Sequence, residues 1–233
     1  MCPRVGGGKG AAGTHVRYNA AVLRVTEIFH SIQGESTHAG RPCVFVRLTG
    51  CNLRCGWCDT AYAFHGGSAW TVGDVVDRVS AFDCRLVEVT GGEPLLQADA
   101  ITLMRALLDR GYEVLLETGG SLPIETVPEG VRRIVDIKCP GSGESERNRW
   151  DNLDVLRPGD ELKFVIASRD DYDWAADAVR ARRLEDKATV LFSAVHETLP
   201  GGELARWVLD DGLPVRVQLQ LHKVLWPAAA QGV

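Results

Sequence analysis

The sequence has no strong excess of either charge and no long apolar run. Its 233 residues carry a formal net charge of -5, with acidic and basic residues interleaved, so no basic surface for nucleic acid or an anionic membrane is expected. No run of about 18 apolar residues is present to span a bilayer, and the first 17 residues lack the apolar core of a secretory signal. We therefore expect a cytoplasmic protein that acts on a small molecule.

The sequence also lacks an even cysteine count and any internal repeat. Seven cysteines are present and three of them crowd into one short segment, which argues against a secreted disulfide framework and for metal or redox chemistry in a reducing compartment. With 45% hydrophobic and 24% charged residues, the chain can bury roughly 70% of its unfolded surface. We predict a flexible leader over residues 1–20 and a single domain over residues 21–233.

From about residue 43, β-branched runs alternate with amphipathic segments. The predicted strands are "CVFVRLTG", "RLVEVT", "YEVLLET", "RRIVDIKC", "ELKFVIA", "ATVLFSAV" and "PVRVQLQLH". The predicted helices lie in "TVGDVVDRVSA", "LLQADAITLMRALLDRG", "SRDDYDWAADAVRARRL" and near "GGELARWVLDDG". Such alternation indicates βα units around a parallel sheet or barrel. Because a complete barrel has eight strands and about 250 residues, we predict an α/β fold with a partial (β/α) barrel of about six or seven mostly parallel strands.

Three cysteines follow the first predicted strand with the spacing C-x3-C-x2-C: Cys51, Cys55 and Cys58. A four-iron cluster usually takes four thiolates, so three leave one iron with an open position, as a catalytic zinc keeps a free site. The alternatives are a zinc knuckle completed by a distant His or Cys, or three unrelated core cysteines. The other cysteines, Cys2, Cys43, Cys84 and Cys139, are expected to be inert small hydrophobic residues.

The segment "TGGEP" follows the second predicted strand. Its glycines, Gly91 and Gly92, allow close approach to a ligand, and Glu93 is held extended before Pro94. Together with the cysteine spacing, this segment resembles the radical S-adenosylmethionine superfamily. The resemblance implies a [4Fe-4S] cluster whose open iron is chelated by S-adenosylmethionine, which an electron then cleaves to a 5'-deoxyadenosyl radical.

A longer resemblance covers about 200 residues. "HSIQGES" followed by "GRPCVFVRLTGCNLRCGWCDT" is similar to the 7-carboxy-7-deazaguanine synthases, and "LETGG", "DIKCP", "ELKFVI", "LFSAVHE" and "VQLQLHKVLWP" continue the similarity. It implies conversion of 6-carboxy-5,6,7,8-tetrahydropterin to 7-carboxy-7-deazaguanine with loss of ammonia, in queuosine and deazapurine biosynthesis. It also implies a flavodoxin-like or ferredoxin-like one-electron reductant and a homodimer.

The resemblance implies a set of substrate-binding residues. They are Ile32, Gln33, Gly34, Glu35, Arg47, Thr90 and His222. A guanidinium such as that of Arg47 suits the pterin carboxylate because its planar fork forms two parallel hydrogen bonds. Each of three residues has an alternative role. Arg47 could be a solvent-facing arginine of a strand, Glu35 could be a carboxylate in a turn, and His222 could belong to a basic, solvent-exposed C-terminal end of the chain.

The resemblance also implies contacts to S-adenosylmethionine and to a magnesium ion at Thr60. The S-adenosylmethionine residues are Trp57, Asp59, Gly92, Glu93, Asp136, Ile137, Lys138, Ser193, Ala194, Val195 and His196. Asp136 and Lys138 lie two apart on a strand, as a plain salt bridge would also require, and Asp59 with Thr60 could instead cap the next turn. The chain departs from the family pattern at Gly119, where Asn is expected, and at Asp136 and Ile137, where Ser-Pro is expected.

Two other functions compete with a synthase. One is an activase that installs a glycyl radical on a partner protein, and the other is a non-catalytic iron–sulfur electron carrier. "HSIQGES", Arg47 and Thr60 favour a small-molecule substrate over the activase, while three ligands rather than four, together with "GGEP", argue against an electron carrier.

Overall fold

The computed structural model of the chain describes residues 21–226 and Gly232. The predicted leader, Cys2 and the residues from Pro227 to Gln231 lie outside the described residues. The strands are β1 (Val22–Ile32), β2 (Pro42–Leu48), β3 (Ser68–Thr71), β4 (Leu86–Gly91), β5 (Glu113–Thr118), β6 (Val131–Ile137), β7 (Glu161–Ile166), β8 (Thr189–Ala194) and β9 (Arg216–Gln218). They form one sheet in the order β3-β1-β2-β4-β5-β6-β7-β8-β9.

Seven of these strands are parallel, and they are the seven that the sequence predicts. They run from β2 through β4 to β9, which confirms the α/β partial barrel. The total of nine exceeds the predicted six or seven because β1 pairs antiparallel with β2 and β3. The sheet therefore ends at β3 on one side and at β9 on the other, and it remains open between them.

Five α-helices connect or follow the strands. They are α1 (Val72–Ser80), α2 (Asp99–Asp109), α3 (Arg169–Arg182), α4 (Gly201–Asp211) and α5 (Leu221–Leu225). The first four were predicted, and Thr71 caps α1 by accepting a hydrogen bond from Asp74 N at 3.1 Å. The prediction of a last strand reaching His222 was wrong, since β9 ends at Gln218 and α5 begins at Leu221. Among the described residues, no helix is both long and apolar enough to cross a membrane.

The sheet separates two apolar regions. The larger one packs the helices against the outer face and includes Val72, Val75, Val76 and Val79 of α1, the stripe expected from their spacing. The smaller one fills the inner face near the strand starts with Cys43, Phe45, Leu86, Leu115 and Ile134. The inner apolar cluster closes the bottom of the barrel, so ligands must enter from the carboxyl ends of the strands.

The open side of the barrel is filled by two segments, which we call the plug and the closing helix. The plug is residues 33–41, between β1 and β2, and the closing helix is α5. Inside the barrel, the plug donates from Thr37 N to Glu161 Oε2 at 3.1 Å and from Ser36 N to Gln218 Oε1 at 2.8 Å. Leu221 N of the closing helix donates to Gly34 O at 2.9 Å. The plug and the closing helix thus complete the wall that a full set of strands would otherwise form.

Candidate active site

A cavity of about 380 Å³ lies at the carboxyl ends of the parallel strands, a size that suits a small molecule. All seven predicted substrate residues line it. The predicted cofactor and metal residues that line it are Cys51, Cys55, Trp57, Cys58, Asp59, Thr60, Gly92, Asp136, Lys138 and Val195. The structure therefore brings together residues from the plug, the cysteine loop (residues 51–60), the closing helix, strands β1, β2, β4 and β6, and the loops after β4, β6 and β8.

Five predicted cofactor residues lie outside the cavity lining. Ile137 and Ala194 pack in the outer apolar core, and His196 is partly exposed, 4.0 Å from Glu197. Ser193 is fully buried, and its hydroxyl has no hydrogen-bond partner within the described part of the chain. Glu93 is also buried, accepting from Leu95 N at 3.0 Å and Gly119 N at 2.7 Å, so its carboxylate ties the loop after β4 to the loop after β5.

The cysteine loop is fixed by close backbone contacts. Gly56 N donates to Ser142 O at 3.0 Å, and Leu53 N donates to the Cys51 sulfur at 3.4 Å. A Cβ added at Gly92 would lie 2.6 Å from the Cys51 Cβ, so only glycine allows the "GGEP" loop to pack this closely against the cysteines. Burial raises the pKa of the Cys51 and Cys55 thiols, and binding iron would displace their protons.

The three thiols fit a cluster better than a single ion. Within residues 21–226 and Gly232, no three Cys, His, Asp or Glu side chains converge to hold one metal ion, as a zinc knuckle requires. A four-iron cluster instead offers a separate iron to each thiolate, and three half-buried thiols line one cavity. Cys43 and Cys139 are buried elsewhere, in the inner and outer apolar regions.

Arg47 is a cavity residue rather than a solvent-facing one, since its side chain is only 15% exposed. Its Nε donates to Glu27 Oε1 at 2.7 Å, across the β1–β2 pair, and Tyr62 donates to the same oxygen at 2.7 Å. The guanidinium carbon lies 5.7 Å from the centre of the Phe29 ring. Because Glu27 takes Nε, the two terminal nitrogens are the ones that can meet the carboxylate of a ligand.

Thr60 does not form the side-chain cap that the sequence left open as an alternative. The short turn that follows, Ala61–Phe64, has no hydrogen bond from the Thr60 hydroxyl, which lies 3.8 Å from the Cys58 sulfur. The Asp59 carboxylate pairs with Lys223 Nζ at 2.7 Å. The Thr60 hydroxyl therefore remains at the cavity wall, and Asp59 joins the cysteine loop to the closing helix.

A buried charged cluster lies below these residues, and sequence reasoning missed its centre, Lys163. Its ammonium lies 2.7 Å from Glu35 Oε2, contacts Glu117 and lies 3.6 Å from Asp136 Oδ2. Burial alone raises the pKa of Glu35, but Lys163, together with a hydrogen bond from Gln220, lowers it to about 2. Burial lowers the pKa of Lys163, yet these carboxylates raise it well above its ordinary value. Glu35 and Lys163 are therefore both charged.

Gln33 and Glu88 form the other part of this cluster. Gln33 Nε2 donates to Glu88, while Gln33 Oε1 accepts from Glu35 N at 2.6 Å. Burial and the neighbouring Glu117 carboxylate raise the pKa of Glu88 well above its ordinary value. The amide of Gln33 is thus used to shape the plug.

His222 of the closing helix packs directly on Gly34 of the plug. A Cβ added at Gly34 would overlap the imidazole and would lie 2.8 Å from His222 N. Burial lowers the pKa of His222, which favours the neutral imidazole. A residue with a side chain at position 34 would separate the plug from the closing helix.

Comparisons with known proteins agree with this geometry. The family model of the radical SAM superfamily matches residues 45–181, and membership brings a [4Fe-4S] cluster and S-adenosylmethionine as cofactors, which the three thiols fit. The solved structure of QueE from Escherichia coli superposes with a TM-score of 0.73, covering 89% of this chain and 98% of that chain at 21% identity. That likeness shows the fold.

Sequence relatives identify the family. The 7-carboxy-7-deazaguanine synthase of Koribacter versatilis is 46% identical over 226 residues, covering 91% of this chain and 100% of that relative. The synthase of Chlorobaculum tepidum is 48% identical over 216 residues, covering 91% and 98%. Because relatives with this name match nearly the whole chain, the activase and the electron carrier are excluded as functions. The chain belongs to the 7-carboxy-7-deazaguanine synthase family of the radical SAM superfamily.

Proposed function

We propose that the chain converts 6-carboxy-5,6,7,8-tetrahydropterin to 7-carboxy-7-deazaguanine with loss of ammonia, in deazapurine and queuosine biosynthesis. The observation that supports this most directly is the shared cavity: the cysteine loop and the substrate residues, including Gln33, Glu35, Arg47 and Thr90, line the same 380 Å³ space. Radical chemistry started at the cysteine loop would therefore act on a molecule held by the plug.

The cofactor side of the cavity is assigned to the cysteine loop and the ends of the central strands. Cys51, Cys55 and Cys58 would hold the cluster here, and the cluster with S-adenosylmethionine would supply the 5'-deoxyadenosyl radical on this side of the cavity. Asp136 Oδ2 pairs with Lys138 Nζ at 2.9 Å, and its Oδ1 is buried without a partner among the described residues. A buried acceptor of this kind needs a donor, and a hydroxyl of S-adenosylmethionine would supply one.

The substrate side is assigned to Arg47, Glu35 and the plug. Arg47 receives the pterin carboxylate on its two terminal nitrogens, as a guanidinium fork allows. Glu35 stays ionised, and a carboxylate has about four acceptor sites, so it can accept from the pterin edge while Lys163 and Gln220 keep it in place. Phe29 and Phe45, stacked with ring centres 5.0 Å apart, provide an apolar wall.

We assign Thr60 as the protein ligand of a magnesium ion beside the substrate. Its hydroxyl lies at the cavity wall without a capping role, and Mg²⁺ accepts few protein oxygens while keeping several waters. A flavodoxin-like or ferredoxin-like reductant and a homodimer complete the proposal, on the strength of the sequence resemblance.

The test is anaerobic incubation of the reconstituted protein with S-adenosylmethionine, a reductant, Mg²⁺ and the carboxypterin. We expect 5'-deoxyadenosine, ammonia and the ultraviolet spectrum of a deazapurine. Cleavage of S-adenosylmethionine without any deazapurine or ammonia would contradict the assigned substrate while leaving the superfamily chemistry in place.

A further inference from the structure

The loop that follows β6 holds the exposed side of the cysteine loop. Arg54 N donates to Glu144 Oε1 at 2.6 Å, and Gly56 N donates to Ser142 O at 3.0 Å. Arg54 and Gly56 are exposed, whereas the thiol residue between them, Cys55, is half-buried and lines the cavity. The loop after β6 therefore fixes the backbone on both sides of Cys55.

This bracing loop, residues 139–144, is itself anchored in the core. Gly141 N donates to Asp171 Oδ1 at 2.7 Å, and Asp171 is buried in the first turn of α3. A Cβ added at Gly141 would lie 2.6 Å from Asp171 Oδ2, so only glycine allows this contact. Ser142 Oγ accepts from Glu144 N at 3.1 Å. The backbone that carries the Glu144 side chain is thus fixed from the core.

The cysteine loop has a second brace that does not depend on Glu144. Arg54 Nη1 donates to Cys51 O at 2.9 Å and to Leu53 O at 2.6 Å, and its guanidinium carbon lies 4.3 Å from the centre of the Phe64 ring. These contacts hold carbonyl groups of the loop, whereas Glu144 holds an amide group. Removing the Glu144 carboxylate should therefore release one amide and leave the rest of the loop in place.

Amides of this loop can also donate to sulfur, as Leu53 N does to the Cys51 sulfur at 3.4 Å. Hydrogen bonds to the sulfurs and nearby charge are among the factors that set the reduction potential of an iron–sulfur cluster. Reduction adds a negative charge, so a new amide donor raises the potential and a nearby carboxylate lowers it. Cleavage of S-adenosylmethionine by an electron from the cluster requires a low potential.

We propose that Glu144 is a positioning residue for the cluster, which keeps the Arg54 amide away from the sulfurs and places a negative charge beside the cysteine loop. Glu144 does not line the cavity and acts through the backbone before Cys55. The inference rests on the cysteine assignment of the proposed function and does not depend on which substrate is converted.

Two substitutions of Glu144 separate the hydrogen bond from the charge. Glu144→Gln keeps an oxygen that can accept from Arg54 N but removes the charge, whereas Glu144→Ala removes both. Glu146→Gln is the matched control, because Glu146 is an exposed carboxylate two residues further on, where solvent and salt screen its charge. The potential is measured in the reconstituted holoenzyme by reductive titration with dithionite and mediators, followed by electron paramagnetic resonance.

We expect the potential to shift to less negative values in Glu144→Gln and further in Glu144→Ala, with Glu146→Gln like the parent. The visible absorbance of the cluster should decay in air about 3- to 10-fold faster in Glu144→Ala, the factor that one net hydrogen bond contributes, and Glu144→Gln should restore the parent rate. This rescue separates the hydrogen bond from the charge.

A parent-like potential in Glu144→Gln would overturn the proposal, even if Glu144→Ala does not accumulate. Equal shifts in the two variants, with decay in air at the parent rate, would overturn the hydrogen-bond role. A parent that holds no cluster would overturn the cysteine assignment and this inference with it. A parent that holds the cluster but makes no deazapurine would overturn the proposed substrate, while the measured potentials still decide the role of Glu144.

Discussion

Arg47 shows how one side chain can be oriented by its neighbours and still be free to bind a ligand. Glu27 holds Nε at 2.7 Å, which leaves the terminal nitrogens for the substrate carboxylate. Replacing Arg47 with Lys would keep the charge but remove the second parallel hydrogen bond, whose loss costs about 1.5 to 3 kcal/mol. We expect Arg47→Lys to raise the Kd for the carboxypterin by about one to two decades.

Calorimetry or a substrate titration measures this effect, and the visible spectrum of the cluster should not change. Arg169→Lys is the matched control, because Arg169 pairs with Asp173 at 2.8 Å on α3, outside the cavity. Equal substrate affinity in both variants would assign Arg47 a structural role only.

Substitution of Thr60 tests the magnesium assignment, and it also changes only a few atoms. Its hydroxyl makes no cap, so removing it should cost little stability. We expect turnover of the parent to rise with added Mg²⁺, and Thr60→Ala to lose that stimulation while reductive cleavage of S-adenosylmethionine persists. Thr60→Ser keeps the hydroxyl and should keep the response to Mg²⁺. A Thr60→Ala protein that responds like the parent would remove Thr60 from the metal site.

Local sequence spacing was enough to predict which cysteines lie together. Cys51, Cys55 and Cys58 are close in the chain, and the structure places all three at one cavity. Glu88, Glu117 and Lys163 were missed because they come from three separate strands. Alternation shows that each faces one side of its strand, but only the register of the sheet shows that they meet.

Among the elements, the plug and strand β7 are joined by a buried ion pair that makes their association depend on pH. Lys163 and Gln220 lower the pKa of Glu35 from 4.5 to about 2 despite its burial. A lowered folded-state pKa adds stability that is present above the unfolded pKa and lost as pH falls through the folded one. We expect this contribution to disappear between about pH 4.5 and pH 2.

Urea unfolding of the parent and of Glu35→Gln over this range measures the contribution. The difference in midpoint between the two proteins should shrink as the pH falls from 4.5 to 2. A difference that stays constant across this range would mean that Glu35 is not held ionised by Lys163.

The elements that sequence reasoning missed are β3 and β1, which lie at one end of the sheet, and the closing helix α5. β1 was not predicted, because "HSIQGES" at its end was read as a binding motif rather than as the end of a strand. α5 was read as strand because "VQLQL" alternates up to Leu221. Its helix is short and contains no buried residue, so a contact distant in the chain, from Leu221 N to Gly34 O, helps to fix it and local pattern cannot.

At the scale of the whole molecule, the barrel is completed by contacts between the plug and the closing helix, two segments that lie far apart in the sequence. The plug lies near residue 34 and the closing helix near residue 222, and they meet where Gly34 has no side chain. Lys223 and Asp59, at 2.7 Å, then tie the closing helix to the cysteine loop. Substrate and cofactor sites therefore share one wall, and its integrity should matter more for binding than for cluster assembly.

Gly34→Ala tests this closure directly. The added methyl group would overlap His222, and overpacking of this kind costs about 1 to 3 kcal/mol, so the closing helix must move away from the plug. We expect the KM for the carboxypterin to rise about 5- to 150-fold, at 1.36 kcal/mol per decade, with the cluster absorbance retained.

Gly202→Ala is the matched control, because a Cβ there meets no atom within 4 Å and the position lies in α4. Limited proteolysis should cut Gly34→Ala, but not Gly202→Ala, faster near the closing helix. Parent-like KM and proteolysis for Gly34→Ala would mean that the contact between the plug and the closing helix does not close the site.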